Sequence, residues 1–325
     1  MGRLVDGVWY GKEDFPTDSG GRFTRPDSPL RNWVTADGAP GPTGSGGFKA
    51  EPGRYHLYIA RACPWAHRTM IFRALKGLEG MIDYSVTHWL MQDDGWTFAP
   101  GPGVTGDTIG GAAVMHAVYT SSDPAYSGRV TVPVLWDRVS ETIVSNESAD
   151  IIRMFNSAFD AVGAKAGDYY PAALRAEIDA VNDRVYQTVN NGVYRCGFAT
   201  TQAAYEEAVG PLFASLDWLE ALLSRQPYLV GDTPTEADWR LFTTLVRFDP
   251  VYVGHFKCNI RQLVDYPHLW AYTRALYQAP GIRETVDFDH IKKHYYQSHR
   301  GINPHGIVPV GPERDFDAPS GRPAL

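Results

Sequence analysis

The sequence predicts an α/β domain followed by an all-α domain, and three observations point there. Between residues 51 and 165, short β-rich runs alternate with stretches of helical spacing. Beyond residue 166 the texture changes to successive helical stretches separated by Gly and Pro. The chain has 325 residues, more than one typical domain of roughly 100 to 200, and its 44% hydrophobic and 21% charged content suits two buried cores.

Taken in order, residues 1–50 are rich in Gly, Pro and Asp, with scattered rings (Trp9, Tyr10, Phe15, Phe23, Trp33, Phe48) and no sustained period; they read as an extended arm pinned by those rings. Tyr55–Ala60 is a β-rich run, and Trp65–Leu75 after it has helical spacing. Ile82–His88 is a second strand. Leu90–Gly128 has little periodicity, and so long an insertion in a small α/β domain suggests function. Val130–Trp136 and Glu141–Ser145 read as a strand pair interrupted by Pro133, and Ser148–Phe155 resumes helical spacing. Strand, helix, strand, long connection, hairpin, helix is the order of a thioredoxin-like unit over 51–165. In the helical domain, 166–302, the expected helices are Ala172–Asn191, Gln202–Ser224, Ala237–Phe248 and Leu269–Gln278. Thr235 and Asp238 stand three apart, as in a capping box that opens a buried helix. Residues 303–325 form a Pro/Gly-rich, irregular tail.

Composition removes several classes of function. The net charge is −7, without a Lys/Arg block to neutralise a run of phosphates, so nucleic acid is not an expected partner. The first residues lack an apolar signal core, Asp6 stands where a myristoylation signal needs Ser or Thr, and no run approaches the ~18 apolar residues of a membrane span. No membrane association and a cytoplasmic location are therefore expected. Clustered His/Cys ligands and a Gly-rich phosphate loop after a strand are both missing, so neither a metal nor a bound cofactor is expected. The cysteines, at 63, 196 and 258, suit neither a disulfide framework nor a zinc cluster. Any cysteine chemistry is then single-thiol chemistry.

Cys63 lies between the first strand and its helix, with Pro64 at the first helical position, where its missing N–H is no loss. Free amides and the positive end of the helix dipole stabilise a thiolate there, below the usual cysteine pKa of about 8.5. A buried, inert cysteine is the alternative. Three residues on stands Ala66, so no dithiol motif can resolve a mixed disulfide, and an external thiol is needed. Cys196 and Cys258 are read as structural.

The chain resembles the glutathionyl-hydroquinone reductases, the Xi-class glutathione transferases, over nearly its whole length. The resemblance is carried by Arg31-Asn32-Trp33, Gly53–Tyr58, Ala62–Thr69, Asp94-Gly95-Trp96, Val132–Asp137, Ile143–Ser148 and Arg240-Leu241-Phe242. It implies a thioredoxin-like domain followed by a helical glutathione-transferase domain, with Cys63 as nucleophile. Glutathione is then a co-substrate held by Trp96, Arg129, Val130, Thr131, Val132, Glu147 and Ser148. Tyr194 resembles the family's proton donor, and Tyr252 and Tyr295 the tyrosines that help activate the thiol; these three rest on resemblance alone.

The other positions also have readings from their chemistry. Thr131-Val132-Pro133 is similar to a strand end where a cis-proline leaves backbone groups free to pair with an extended peptide; an edge-strand proline without ligand is the alternative. Glu147 and Ser148 open a helix and can take an ammonium and a carboxylate, or merely cap it. Trp96 and Arg129 flank the insertion, as a clamp on carboxylates or as a core ring and a solvated charge. His67, one turn after Cys63, could approach the thiol, but a packing or helix-dipole role is the favoured reading.

The implied reaction is reductive removal of glutathione from an aromatic thioether, through a Cys63–glutathione disulfide that a second glutathione resolves. Two rivals are an omega-like cysteine transferase acting as general thiol transferase or dehydroascorbate reductase, and a non-catalytic binding module on the same fold. Relatives pair, so a homodimer is expected.

Overall fold

The computed structural model describes residues 2–11 and 15–323; the other positions of the expected arm and tail (1, 12–14, 324–325) lie outside them. Two compact units emerge. The first comprises the described residues of Met1–Asp14 with Pro26–Gly167 and Thr285–His294, and the second Phe15–Arg25, Asp168–Glu284 and the described residues of Tyr295–Leu325.

The first unit has the thioredoxin-like order. Strands β1 (Arg3–Val5), β2 (Val8–Tyr10), β3 (Trp33–Thr35) and β4 (Gly47–Lys49) precede β5 (Tyr55–Ile59), α1 (Pro64–Leu75), β6 (Ile82–Val86), α2 (Met115–Ser122), β7 (Gly128–Arg129), β8 (Val134–Asp137), β9 (Thr142–Ser145) and α3 (Ser148–Ser157). Four strands form one sheet in the order β6-β5-β8-β9, with β6 parallel to β5 and the other pairings antiparallel. Every residue of β5 is buried, as a central strand covered on both faces requires. Helices α1 and α3 pack on one another. Gly77, at φ 61°, takes the left-handed conformation just past the end of α1. Beside it the fully buried Lys76 ammonium bonds the Asp160 carboxylate at 2.9 Å and the Gly167 carbonyl at 2.7 Å.

The segment read as an extended arm instead holds, among its described residues, four short strands. β1 pairs with β2 and with β7, and β3 with β4. A three-residue strand is too short to show a period, and β1 takes a partner far along the chain. Leu30, Arg31 and Asn32 lie along β9: Asn32 donates to the Val144 carbonyl and Asn146 to that of Leu30, both at 3.0 Å. The strand expected over 130–136 begins only at Val134, because residues 130–133 cross from one sheet to another. The insertion 90–128 contains α2, which the sequence reading missed.

The second unit is helical: α4 (Arg175–Val185), α5 (Gly192–Gly197), α6 (Gln202–Leu223), α7 (Glu236–Arg247) and α8 (Pro267–Tyr277). A further helix, α9 (Phe288–Ser298), belongs to the first unit up to His294 and to the second from Tyr295, and lies where none was expected. Wide π-type turns follow α4 (Tyr186–Asn190) and α7 (Phe248–Tyr252). α7 is buried along its whole length. Its capping box closes as expected, with Asp238 Oδ2 accepting from the Thr235 amide at 2.7 Å and hydroxyl at 3.0 Å. Asp238 Oδ1 accepts from the Leu229 amide at 2.9 Å and the Tyr272 hydroxyl at 2.7 Å. Burial, the largest influence, raises the Asp238 pKa despite these donors. No helix or strand occurs over 303–323, yet Phe316 is buried against the rings of Trp270 and Tyr277 at 5.0 and 5.1 Å. Among the described residues no helix is long and apolar enough to cross a membrane.

Candidate active site

Cys63 is the N-cap of α1, in extended conformation (φ −73°, ψ 120°), with Pro64 following. Its carbonyl accepts the His67 amide at 3.0 Å, the first turn of the helix. The thiol retains only 9% exposure and donates to the Val132 carbonyl at 3.4 Å. That carbonyl precedes Pro133, and the Val132–Pro133 peptide is cis. His67 is buried with Nε2 at 2.8 Å from the Thr285 hydroxyl, in keeping with a packing role.

The strand-to-strand crossing contributes the next candidates. Arg129 ends β7 opposite Arg3, Val130 and Val132 are buried, and Thr131 is half-buried. Glu147 is the N-cap of α3, its carboxylate accepting the Ala149 amide at 2.9 Å. Ser148 is buried beside it, with the Arg68 guanidinium reaching its hydroxyl at 3.5 Å. Arg68 itself is buried, 4.5 Å over the Trp65 ring. An arginine next to the amide end of α3 concentrates positive potential at Ser148, as a carboxylate would require. Trp96 lies after β6, inside the insertion and not at its edge as expected, stacked on the His294 imidazole with centroids 4.8 Å apart, and His294 Nδ1 is 2.7 Å from the Trp89 carbonyl.

Tyr194, Tyr252 and Tyr295 come together in the second unit. The Tyr295 hydroxyl is 2.6 Å from that of Tyr194 and 3.1 Å from that of Tyr252. Tyr194 follows the first π-type turn and Tyr252 ends the second, a kind of irregularity frequent at functional positions. Burial pushes the phenols of Tyr252 and Tyr295 well above the ordinary tyrosine value, while Tyr194 is half-buried. The Arg25 guanidinium sits 4.9 Å over the Tyr194 ring and bonds Asn191 Oδ1 at 2.7 Å. Gly197 makes the packing possible, because a Cβ there would lie 2.1 Å from Phe256, whose ring stacks on Tyr252 at 5.5 Å.

Sequence reasoning assigned no role to Arg25, Arg68, Tyr119, Asn146 or His294. Arg68 and Asn146 fall inside the motif blocks, which alone could have drawn notice. Arg25 and His294 carry no local signal, and Tyr119 lies on the missed helix α2.

A β6-β5-β8-β9 sheet with a cysteine capping its first helix, in a chain that continues into a helical unit, defines a glutathione transferase. Residues 62–158 match the glutathione S-transferase N-terminal domain family and residues 202–275 the C-terminal domain family. The glutathionyl-hydroquinone reductase YqjG of Escherichia coli (strain K12) is 59% identical over 323 residues, covering 99% of this chain and 98% of its own. The glutathionyl-hydroquinone reductase PcpF of Sphingobium chlorophenolicum is 56% identical over 312 residues, 96% of each chain. The glutathione-bound structure of Escherichia coli K-12 YqjG superposes with a TM-score of 0.92 at 58% identity, covering 99% of both chains. The chain belongs to the glutathionyl-hydroquinone reductase family of glutathione transferases.

Proposed function

We propose that this protein is a glutathionyl-hydroquinone reductase, with Cys63 as nucleophile. The observation that carries the reading is the Cys63 thiol at the amide end of α1, 3.4 Å from the carbonyl before a cis-proline. The Cys63 thiolate attacks the sulfur that joins glutathione to the aromatic ring. A Cys63–glutathione disulfide forms, the carbon–sulfur bond breaks, and its electron pair passes to the ring carbon, which takes a proton to give the hydroquinone. A second glutathione thiolate then attacks the disulfide, releasing oxidised glutathione and restoring Cys63. The net change is one thioether and one glutathione consumed, one hydroquinone and one glutathione disulfide formed.

The ring proton is assigned to Tyr194 as general acid, supported by its hydroxyl's place at the half-buried end of a chain of three phenols. Tyr252 and Tyr295 are assigned to thiol activation on resemblance. Glutathione is assigned to Trp96, Arg129, Val130, Thr131, Val132, Glu147 and Ser148. Supporting this are the amide end of α3 with Arg68 beside Ser148, and the Val132 carbonyl that accepts the Cys63 thiol. A homodimer in the cytoplasm belongs to the same proposal, and light scattering on the purified protein reads the first part of it.

Cys63→Ala is expected to abolish release of hydroquinone from glutathionyl-hydroquinones while glutathione binding persists; near-normal turnover would refute the nucleophile. Parallel assays on dehydroascorbate and small mixed disulfides separate this activity from a general thiol transferase, which would favour those substrates.

A further inference from the structure

Residues 130–133 lie between β7, at the end of one sheet, and β8, inside another, so Thr131 is outside both ladders. Its backbone groups are nonetheless satisfied, and by one atom. The Tyr119 hydroxyl donates to the Thr131 carbonyl at 3.0 Å and accepts from the Thr131 amide at 3.3 Å and from Asn146 Nδ2 at 3.1 Å. A phenol has one proton and two lone pairs, and all three are used. Burial raises the Tyr119 pKa, so the proton stays. Asn146 is held in the matching orientation, since its Oδ1 accepts the Leu30 amide at 3.3 Å and so leaves Nδ2 to face Tyr119. The next residue, Val132, presents its carbonyl to Cys63.

We infer that Tyr119, oriented by Asn146, is a positioning residue that takes the place of a neighbouring strand for Thr131 and thereby fixes the Val132 backbone on which glutathione is bound. The inference rests on the assignment of Thr131 and Val132 to glutathione made above. Without the phenol hydroxyl, the amide and carbonyl of Thr131 lose their partner, and the crossing is free to rotate away from the geometry an extended peptide needs.

The experiment uses the full chain and its Tyr119→Phe variant, with glutathione itself as probe in calorimetry. The dissociation constant is expected to rise roughly tenfold, since two backbone groups are left unsatisfied. In turnover the KM for glutathione should rise likewise, with kcat recovered at saturation, and the 129–136 segment should exchange its amide hydrogens faster. An unchanged dissociation constant with unchanged exchange overturns the inference. If the phenylalanine variant does not fold, Asn146→Ala decides: weaker binding in the same sense supports the positioning role, and unaltered binding removes it. The two readings fail separately. An unaltered protein that binds glutathione but does not act on glutathionyl-hydroquinones would sink the reductase assignment, whereas weakened binding by Tyr119→Phe would still support the positioning role.

Discussion

The two units hold their candidate residues by opposite means. In the first, placement is a property of the main chain: Cys63 and Glu147 are N-caps, and Thr131 and Val132 lie on a crossing between sheets. In the second, three phenols from separate helical segments meet only through their side chains. Main-chain placement depends on few side chains, because amides and carbonyls stay where the helix ends put them; the Tyr119 hydroxyl, which holds Thr131, is the exception. A side-chain cluster loses its geometry with one atom. The second unit should therefore be the more sensitive to conservative substitution.

Tyr194→Phe probes that contrast with the largest expected effect. It keeps the ring and its packing and removes one hydroxyl, so hydroquinone release should fall on the order of 10³-fold, as for loss of a general acid, with glutathione affinity unchanged. An unaltered rate would strip Tyr194 of the donor role and leave the phenol cluster structural.

Next comes Asp238→Ala. Four donors converge on this buried carboxylate, and leaving them unpartnered should cost ~4 kcal/mol of unfolding free energy. Urea unfolding followed by tryptophan fluorescence reads it. A loss below about 1 kcal/mol would mean that the start of α7 does not depend on its capping box.

A smaller effect, spread over pH, belongs to the first unit. His56 is buried in β5, with Nε2 2.8 Å from the Ser85 hydroxyl and Nδ1 3.2 Å from Arg138. Burial, aided by Arg138, lowers its pKa from 6.5 to about 4. The folded protein therefore binds fewer protons than the unfolded chain between those values. Stability is fully present above pH 6.5 and falls by ~3 kcal/mol as the pH drops to about 4. His56→Gln should flatten that slope in urea titrations at stepped pH; a slope left intact would assign the acid sensitivity to another group.

The same division explains what was legible in the sequence. Cys63-Pro64 and the Thr235/Asp238 pair announce themselves because helix ends obey local rules of capping and of proline at the first turn. The order of β5, α1, β6, β8, β9 and α3 was readable from periodicity, with boundaries off by a few residues. Tyr194, Tyr252 and Tyr295 were reached only through resemblance, since nothing near a tyrosine in sequence says which others its hydroxyl will meet. Residues 130–133 were read as strand because Val and Thr favour extended backbone, and the pattern could not reveal that they change sheets. β1 escaped for a related reason: its partner β7 is two residues long and far away. The helix α9 carries Phe288, Ile291 and Tyr295 at helical spacing, the same local signal that marks the other helices.

That pairing of Arg3 with Arg129 has a consequence during biosynthesis. β1 leaves the ribosome long before β7 exists, so the β1–β7 ladder can close only once the chain has folded back from Arg129 to Arg3. Substitutions that disrupt β1 would therefore be felt at a place remote in sequence, next to the thiol's carbonyl partner.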